Sequence, residues 1–159
     1  MQDVIIRKAT EADRLDILRI MEFWNMHHVP SEEMPDLDTA CFFIAEQEGR
    51  IVGASGYIML SPTEGKTTLL GVDPHINGRG IGRRLQEARM KAMYDLGAES
   101  LITNADRSRT ISWYKELFGY EEIGSIPKVH SFGDDGVSHW TTLKTNLKTY
   151  FHGQESVHE

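Results

Sequence analysis

Apolar positions along this chain recur with two spacings: alternation, which reads as strand, and a three-to-four-residue period, which reads as helix. Val4 to Arg7 reads as a short strand. Thr10, with Asp13 three residues on, starts a helix through a variant capping box. Leu15, Leu18 and Met21, with Ile17 and Trp24 alongside, carry its apolar stripe to about residue 24. Residues 25–39 hold two prolines, two adjacent histidines and the acids Glu32, Glu33, Asp36 and Asp38, and read as an irregular excursion. Cys41 to Gln47 and Arg50 to Leu60 form a hairpin turning at Glu48-Gly49, and Lys66 to Val72 adds a third strand after the turn Ser61 to Gly65. A long helix follows from Gly80 to Leu96, with Ile81, Leu85, Ala88, Ala92 and Leu96 on one stripe and Gly97 as terminator. Ala98 to Asn104 is a strand, and Ser108 to Leu117 is a helix with Ile111, Tyr114, Leu117 and Phe118 on its apolar side. Tyr120 to Ile126 and Ser138 to Thr145 are closing strands around the loop Gly133 to Gly136.

That order of elements predicts an α/β (α+β) architecture, a mixed sheet flanked by helices. No repeat, linker or low-complexity segment divides the chain, so residues 1–146 are expected to form a single domain and 147–159 a loosely held C-terminal tail.

Composition narrows the function classes. Net charge is −7, which argues against nucleic acid as a partner, because nonspecific affinity for it comes from lysines and arginines on phosphates. No run approaches the roughly 18 apolar residues of a membrane span, and the N-terminus lacks an apolar signal region, so the expected location is cytoplasmic. One cysteine, Cys41, excludes an intramolecular disulfide and a multi-thiolate metal site, and no metal is expected. The charge is uneven: from Arg79 to Lys91 there are five cations against one anion, Glu87, which points to a small anionic ligand.

The strongest local signal is the run Val72-Asp73-Pro74-His75-Ile76-Asn77-Gly78-Arg79-Gly80-Ile81-Gly82. A strand ends, proline stops the ladder, three glycines fall in five residues, and a helix begins. Such a turn lets backbone N–H groups converge on an anion at the positive end of the helix. Arg79, Arg83 and Arg84 stand where they add charge-assisted contacts to phosphate. It is not a dinucleotide fingerprint, since Arg83 occupies the third glycine position. Nor is Gly65-Lys66-Thr67 the end of a P-loop, since Leu60 replaces the required glycine.

This segment resembles the acetyl-CoA signature of the GNAT superfamily of N-acetyltransferases: an apolar strand, V-x-P, then (Gln/Arg)-x-x-G-x-(Gly/Ala) opening a helix. Ile111 to Tyr120 (ISWYKELFGY) is similar to the family's "fYeklGF", and Ile6 to Asp13 to its usual opening "IR-A-T-x-x-D". The three blocks occur in family order, and the resemblance covers about residues 4 to 145. Asn77 stands where the family has Gln or Arg, and Arg107 where it often has Asn, seven residues before the tyrosine.

The resemblance implies a GNAT fold, a mixed, mostly antiparallel central sheet whose fourth and fifth strands splay, with acetyl-CoA as co-substrate between them. It implies that the backbone of Leu70, Gly71 and Val72 pairs with the pantetheine arm, and that an N–H near Val72 polarises the thioester carbonyl. Asn77, Gly78, Arg79, Gly80, Ile81, Gly82 and Arg83 would take the pyrophosphate, with Arg107 near the arm. Tyr114 would protonate the leaving thiolate as general acid. The base stays open among Glu22, Glu64, His27, His28, His130, His139 and water, with His130 and His139 placed to face each other across the closing hairpin. The acceptor is expected to be a primary amine of a small molecule, cationic given the acidic excursion. A homodimer is the expected assembly. Two alternatives stand beside this: a non-catalytic acyl-CoA sensor on the same fold, and the same chemistry with a longer acyl donor.

Overall fold

The computed structural model describes residues 3–26, 37–76, 80–130 and 132–157. In chain order its elements are β1 (Val4–Lys8), a 3-10 turn (Glu11–Asp13), α1 (Arg14–Phe23), a second 3-10 turn (Thr39–Cys41), β2 (Phe42–Gln47), β3 (Arg50–Ser61), β4 (Glu64–Val72), α2 (Ile81–Asp95), β5 (Ser100–Ala105), α3 (Ser108–Phe118), β6 (Glu121–Pro127), β7 (His139–Asn146) and α4 (Leu147–Val157). The strand order is β1-β2-β3-β4-β5-β7-β6. The ladders β1–β2, β2–β3, β5–β7 and β6–β7 are antiparallel and β4–β5 is parallel, the mixed sheet expected from the pattern.

The residues cluster in two compact units, Met1–Ile58 with Thr67–Ala92, and Met59–Lys66 with Met93–Glu159. In the first, β1, β2 and β3 form a meander whose hairpin turns at Glu48 (φ 52°) and Gly49 (φ 76°), both left-handed as a two-residue I′ turn requires. Its core joins Ala45, Val52, Ile81 and Leu85, with Val4, Ile6, Phe43, Leu70, Val72 and Ile76 packed around them. At the start of α1, the Thr10 N–H donates to the Asp13 carboxylate at 2.8 Å, and Arg7 donates to the same group at 3.0 and 3.1 Å. The buried face of α1 is Ile17, Ile20 and Met21, whereas Leu15 is 79% exposed. The expected stripe of Leu15, Leu18 and Met21 is thus displaced around the helix, with Ile17 and Ile20 turned inward and Leu18 only half-buried.

In the second unit the parallel ladder pairs Glu64, Gly65 and Lys66 with Ser100, Leu101 and Ile102. β7 lies between β5 and β6, so β6 ends the strand order. Every residue of β6 is exposed, and its ladder is irregular between Glu122 and Gly124. α3 stops at Gly119, whose φ of 68° is left-handed. Residues after Asn146, expected as a loose tail, form α4: Leu147 is fully buried and its N–H donates to the Glu99 carbonyl at 2.9 Å. Tyr150 packs on Phe118, and Phe151 on Tyr94.

Candidate functional site

The chemistry-bearing run begins at the C-terminal end of β4. The Asp73 N–H donates to the Val52 carbonyl of β3 at 2.8 Å. Because successive strand residues aim their N–H and C=O groups to opposite sides, Val72 and Leu70 direct theirs away from β3. The Val72 carbonyl receives the indole N–H of Trp24 at 3.0 Å. Between them Gly71 must lack a side chain, since a Cβ there would stand 2.9 Å from both Ile20 Cγ2 and Trp24 Cδ1. The Leu69 carbonyl accepts from Arg89 Nη1 at 2.7 Å.

After β4 the chain turns about Asp73, whose side chain is 2% exposed. Its carboxylate accepts from the His75 N–H at 2.9 Å and meets His75 Nδ1 at 3.0 Å, with Arg50 at 3.8 Å and Arg19 at 3.9 Å. Burial by itself raises the Asp73 pKa, but the His75 backbone and ring and the Arg50 charge outweigh it and hold the carboxyl below its usual range. The Ile76 N–H returns to the Asp73 carbonyl at 2.9 Å and closes the turn.

Asn77, Gly78 and Arg79 lie outside the described residues. Gly80 follows at φ 63°, a conformation that favours glycine. The Arg84 N–H bonds the Gly80 carbonyl at 3.0 Å, so Gly80 caps α2 and the N–H groups of Ile81, Gly82 and Arg83 are those a helix leaves without an intrahelical acceptor. Arg83 is half-exposed and paired with Glu87 at 2.9 Å. One expectation needs correction here. Arg89, counted in the basic segment, is 1% exposed and faces the protein interior, so it adds nothing to the surface charge of α2. Its Nε donates to Gln86 Oε1 at 2.6 Å and its Nη1 to the Gly56 and Leu69 carbonyls. The buried face of α2 is Ile81, Leu85, Gln86, Arg89, Met90 and Met93, and Leu96 is exposed beyond its end.

In the second unit Arg107 is the exposed N-cap of α3. Tyr114, 4% exposed, sits among Trp113, Phe118 and Tyr120, with ring centroids 5.1, 6.5 and 5.0 Å away. Next to Arg107, Asp106 joins a buried node missed by pattern reading. Lys128 Nζ donates to Asp106 at 2.9 Å and to the carbonyls of Phe132 and Asp134 at 2.8 and 2.9 Å, and stands 4.6 Å from the Trp140 ring centroid. Asp106 also accepts the Asp134 N–H at 2.7 Å.

The base candidates disperse. Glu22 is exposed, Glu64 is engaged by Ser100 and Lys144, and His27 and His28 lie outside the described residues. His130 and His139 do not face each other as expected. His139 pairs in register with Pro127, while the His130 ring lies against Phe132, because the ladder ends before the loop that carries His130. Among the described residues, no group of three or more His, Cys, Asp or Glu side chains is placed to hold a metal, and no helix is long and apolar enough to cross a membrane.

Comparison with known proteins bears directly on this arrangement. A model of the acetyltransferase (GNAT) family matches residues 10–120. N-acetylglutamate synthase from Neisseria gonorrhoeae, solved with coenzyme A and N-acetyl-glutamate, superposes with a TM-score of 0.71 at 18% identity over 91% of this chain. The chain spans only 35% of that protein's length. YncA from Salmonella typhimurium, solved with its cofactor acetyl-CoA, gives a TM-score of 0.69 at 18% identity, covering 91% of this chain and 94% of that one. The ribosomal-protein-S18-alanine N-acetyltransferase of Escherichia coli gives 0.70 at 18%, again covering 91% and 94%. At such identities these likenesses establish the fold.

Proposed function

Because the chain belongs to the GNAT acetyltransferase family, we propose that it moves the acetyl group of acetyl-CoA onto a primary amine of a small molecule, directly, in a ternary complex. The observation that carries this reading is what the segments Leu70 to Ile76 and Gly80 to Arg84 present: strand amides turned away from β3, a turn locked by buried Asp73, and a glycine-capped helix start. An extended pantetheine arm matches the Leu70 and Val72 amides as an added strand would. The diphosphate matches the N–H groups that open α2 and the Arg83 and Arg84 side chains beside them. The structures of relatives bound to coenzyme A and acetyl-CoA support the same donor.

In this reaction the amine nitrogen attacks the thioester carbon, and a β4 amide stabilises the negative charge growing on oxygen. The C–S bond then breaks, and the sulfur leaves with the bonding pair and takes a proton from Tyr114. The amine's surplus proton passes to water, and Tyr114 regains a proton from water, so the cycle closes. Holding donor and acceptor together contributes much of the rate. A panel of primary amines, read as release of free coenzyme A thiol from acetyl-CoA, tests the reading. At least one amine is expected to accelerate release with saturation. If none does while coenzyme A still binds, the protein is an acyl-CoA sensor instead.

A further inference from the structure

We infer that Arg89 is a positioning residue for acetyl transfer, whose buried guanidinium polarises the Leu69–Leu70 peptide and makes the Leu70 N–H the donor that grips the thioester oxygen. The inference rests on the reading above, in which the end of β4 pairs with the arm of acetyl-CoA.

A trans peptide is one planar conjugated unit with its oxygen and its N–H at opposite ends. Arg89 Nη1 donates to the Leu69 oxygen at 2.7 Å, a charge-assisted bond to the far end of the amide whose N–H belongs to Leu70. Electron density drawn toward that oxygen leaves the nitrogen poorer and its hydrogen a better donor, the cooperative effect of one hydrogen bond on the next. Burial magnifies it, because Arg89 is 1% exposed and water does not screen its charge.

The direction is also set. The Asp73 N–H points into β3, so strand alternation turns the Leu70 N–H to the opposite side. The Asp73 N–H is not a rival donor, being already given to Val52. Arg89 stands on the inner face of the same helix whose first turn opens at Gly80, so one element supplies both the anion-binding end and the interior cation. Packing alone does not call for a guanidinium here, since an apolar side chain fills buried space without desolvating a charge.

The test uses Arg89→Gln, which removes the charge but keeps a donor, and Arg89→Lys, which restores the charge. For each we would measure thermal stability, kcat, KM for acetyl-CoA, and the infrared stretch of bound [1-13C]acetyl-CoA without amine. The wild-type carbonyl stretch is expected below that of free acetyl-CoA. Arg89→Gln should move it back toward the free value and lower kcat on the order of tenfold, a fraction of what deleting an oxyanion donor costs. Arg89→Lys should lie between. A folded Arg89→Gln protein with the wild-type frequency overturns the inference and leaves Arg89 a structural residue. If Arg89→Gln does not fold, Arg89→Met, which fills the space without a charge, takes its place, and a folded Arg89→Met protein with the wild-type frequency overturns the inference. Calorimetric titration of wild type with coenzyme A separates the two levels. No binding overturns the reading of the site as well, whereas binding with an unmoved carbonyl overturns only the role of Arg89.

Discussion

The indole N–H of Trp24, just beyond α1, donates to the carbonyl of Val72, the last residue of β4, at 3.0 Å. The bond is reached only because Gly71 leaves the ring room to lie against the strand. Gly71→Ala should therefore push Trp24 and Ile20 aside and cost about 1–3 kcal/mol, as overpacking of a core does. Urea unfolding measures it, and an unchanged midpoint would show that the ring can move at no cost.

Asp13 links pH to stability. The Arg7 hydrogen bond, helped by the Thr10 N–H and opposed by burial, holds its carboxyl below the usual range. A depressed carboxylate pKa contributes stability that is present above the unfolded-state value and lost as pH falls through the folded one. Asp13→Asn should cost about 1–2 kcal/mol at pH 7, a figure discounted because the Arg7 side chain is 35% exposed. The gap between variant and wild type should close below about pH 4. A gap that is the same at pH 7 and pH 3 contradicts this account.

Lys128 and Asp106 are 6% and 11% exposed, so neither is stabilised by water once its partner is gone. Lys128→Met alone should cost about 3 kcal/mol by stranding the carboxylate. Adding Asp106→Asn should recover part of that loss, giving a coupling above about 1 kcal/mol in a double-mutant cycle. Strict additivity would mean that the pair does not act as a pair.

Tyr114→Phe keeps the aromatic packing with Trp113, Phe118 and Tyr120 and removes only the hydroxyl. If that hydroxyl protonates the thiolate, kcat should fall about 100-fold with KM for acetyl-CoA little changed. Wild-type kcat in the variant would return Tyr114 to a purely structural role.

The hairpin at Glu48-Gly49 holds a non-glycine residue at φ 52°. Asn tolerates that conformation better and is favoured in I′ turns, so Glu48→Asn should stabilise the protein by about 0.5–1 kcal/mol. Thermal unfolding checks the sign.

The end of β4 and the start of α2 were legible because the residue types there have few other uses together: a strand stop, a proline, and a glycine at a helix start. The meander and the helices after it were legible from their periods. Three features were not. Arg89 lies on the inner face of α2, and periodicity assigns an arginine to solvent unless backbone carbonyls are known to wait for it. Asp106 and Lys128 are 22 residues apart, and nothing local announces that they meet. α4 carries a mixed face in which Leu147, Tyr150 and Phe151 find partners in Glu99, Phe118 and Tyr94, far back in the chain, so its helix is specified by packing more than by pattern.

The terminal strand β6 has a further consequence for handling the protein. Ile123 and Ile126 are 57% and 42% exposed on the strand that ends the order among the described residues. What guards that margin against sticking to other molecules is Glu121, Glu122, the irregular ladder beside them and the closing Pro127. Glu121→Gln with Glu122→Gln removes that charge and leaves the isoleucines bare, so turbidity of the variant would report molecules joining strand to strand, a loss of solubility separate from melting.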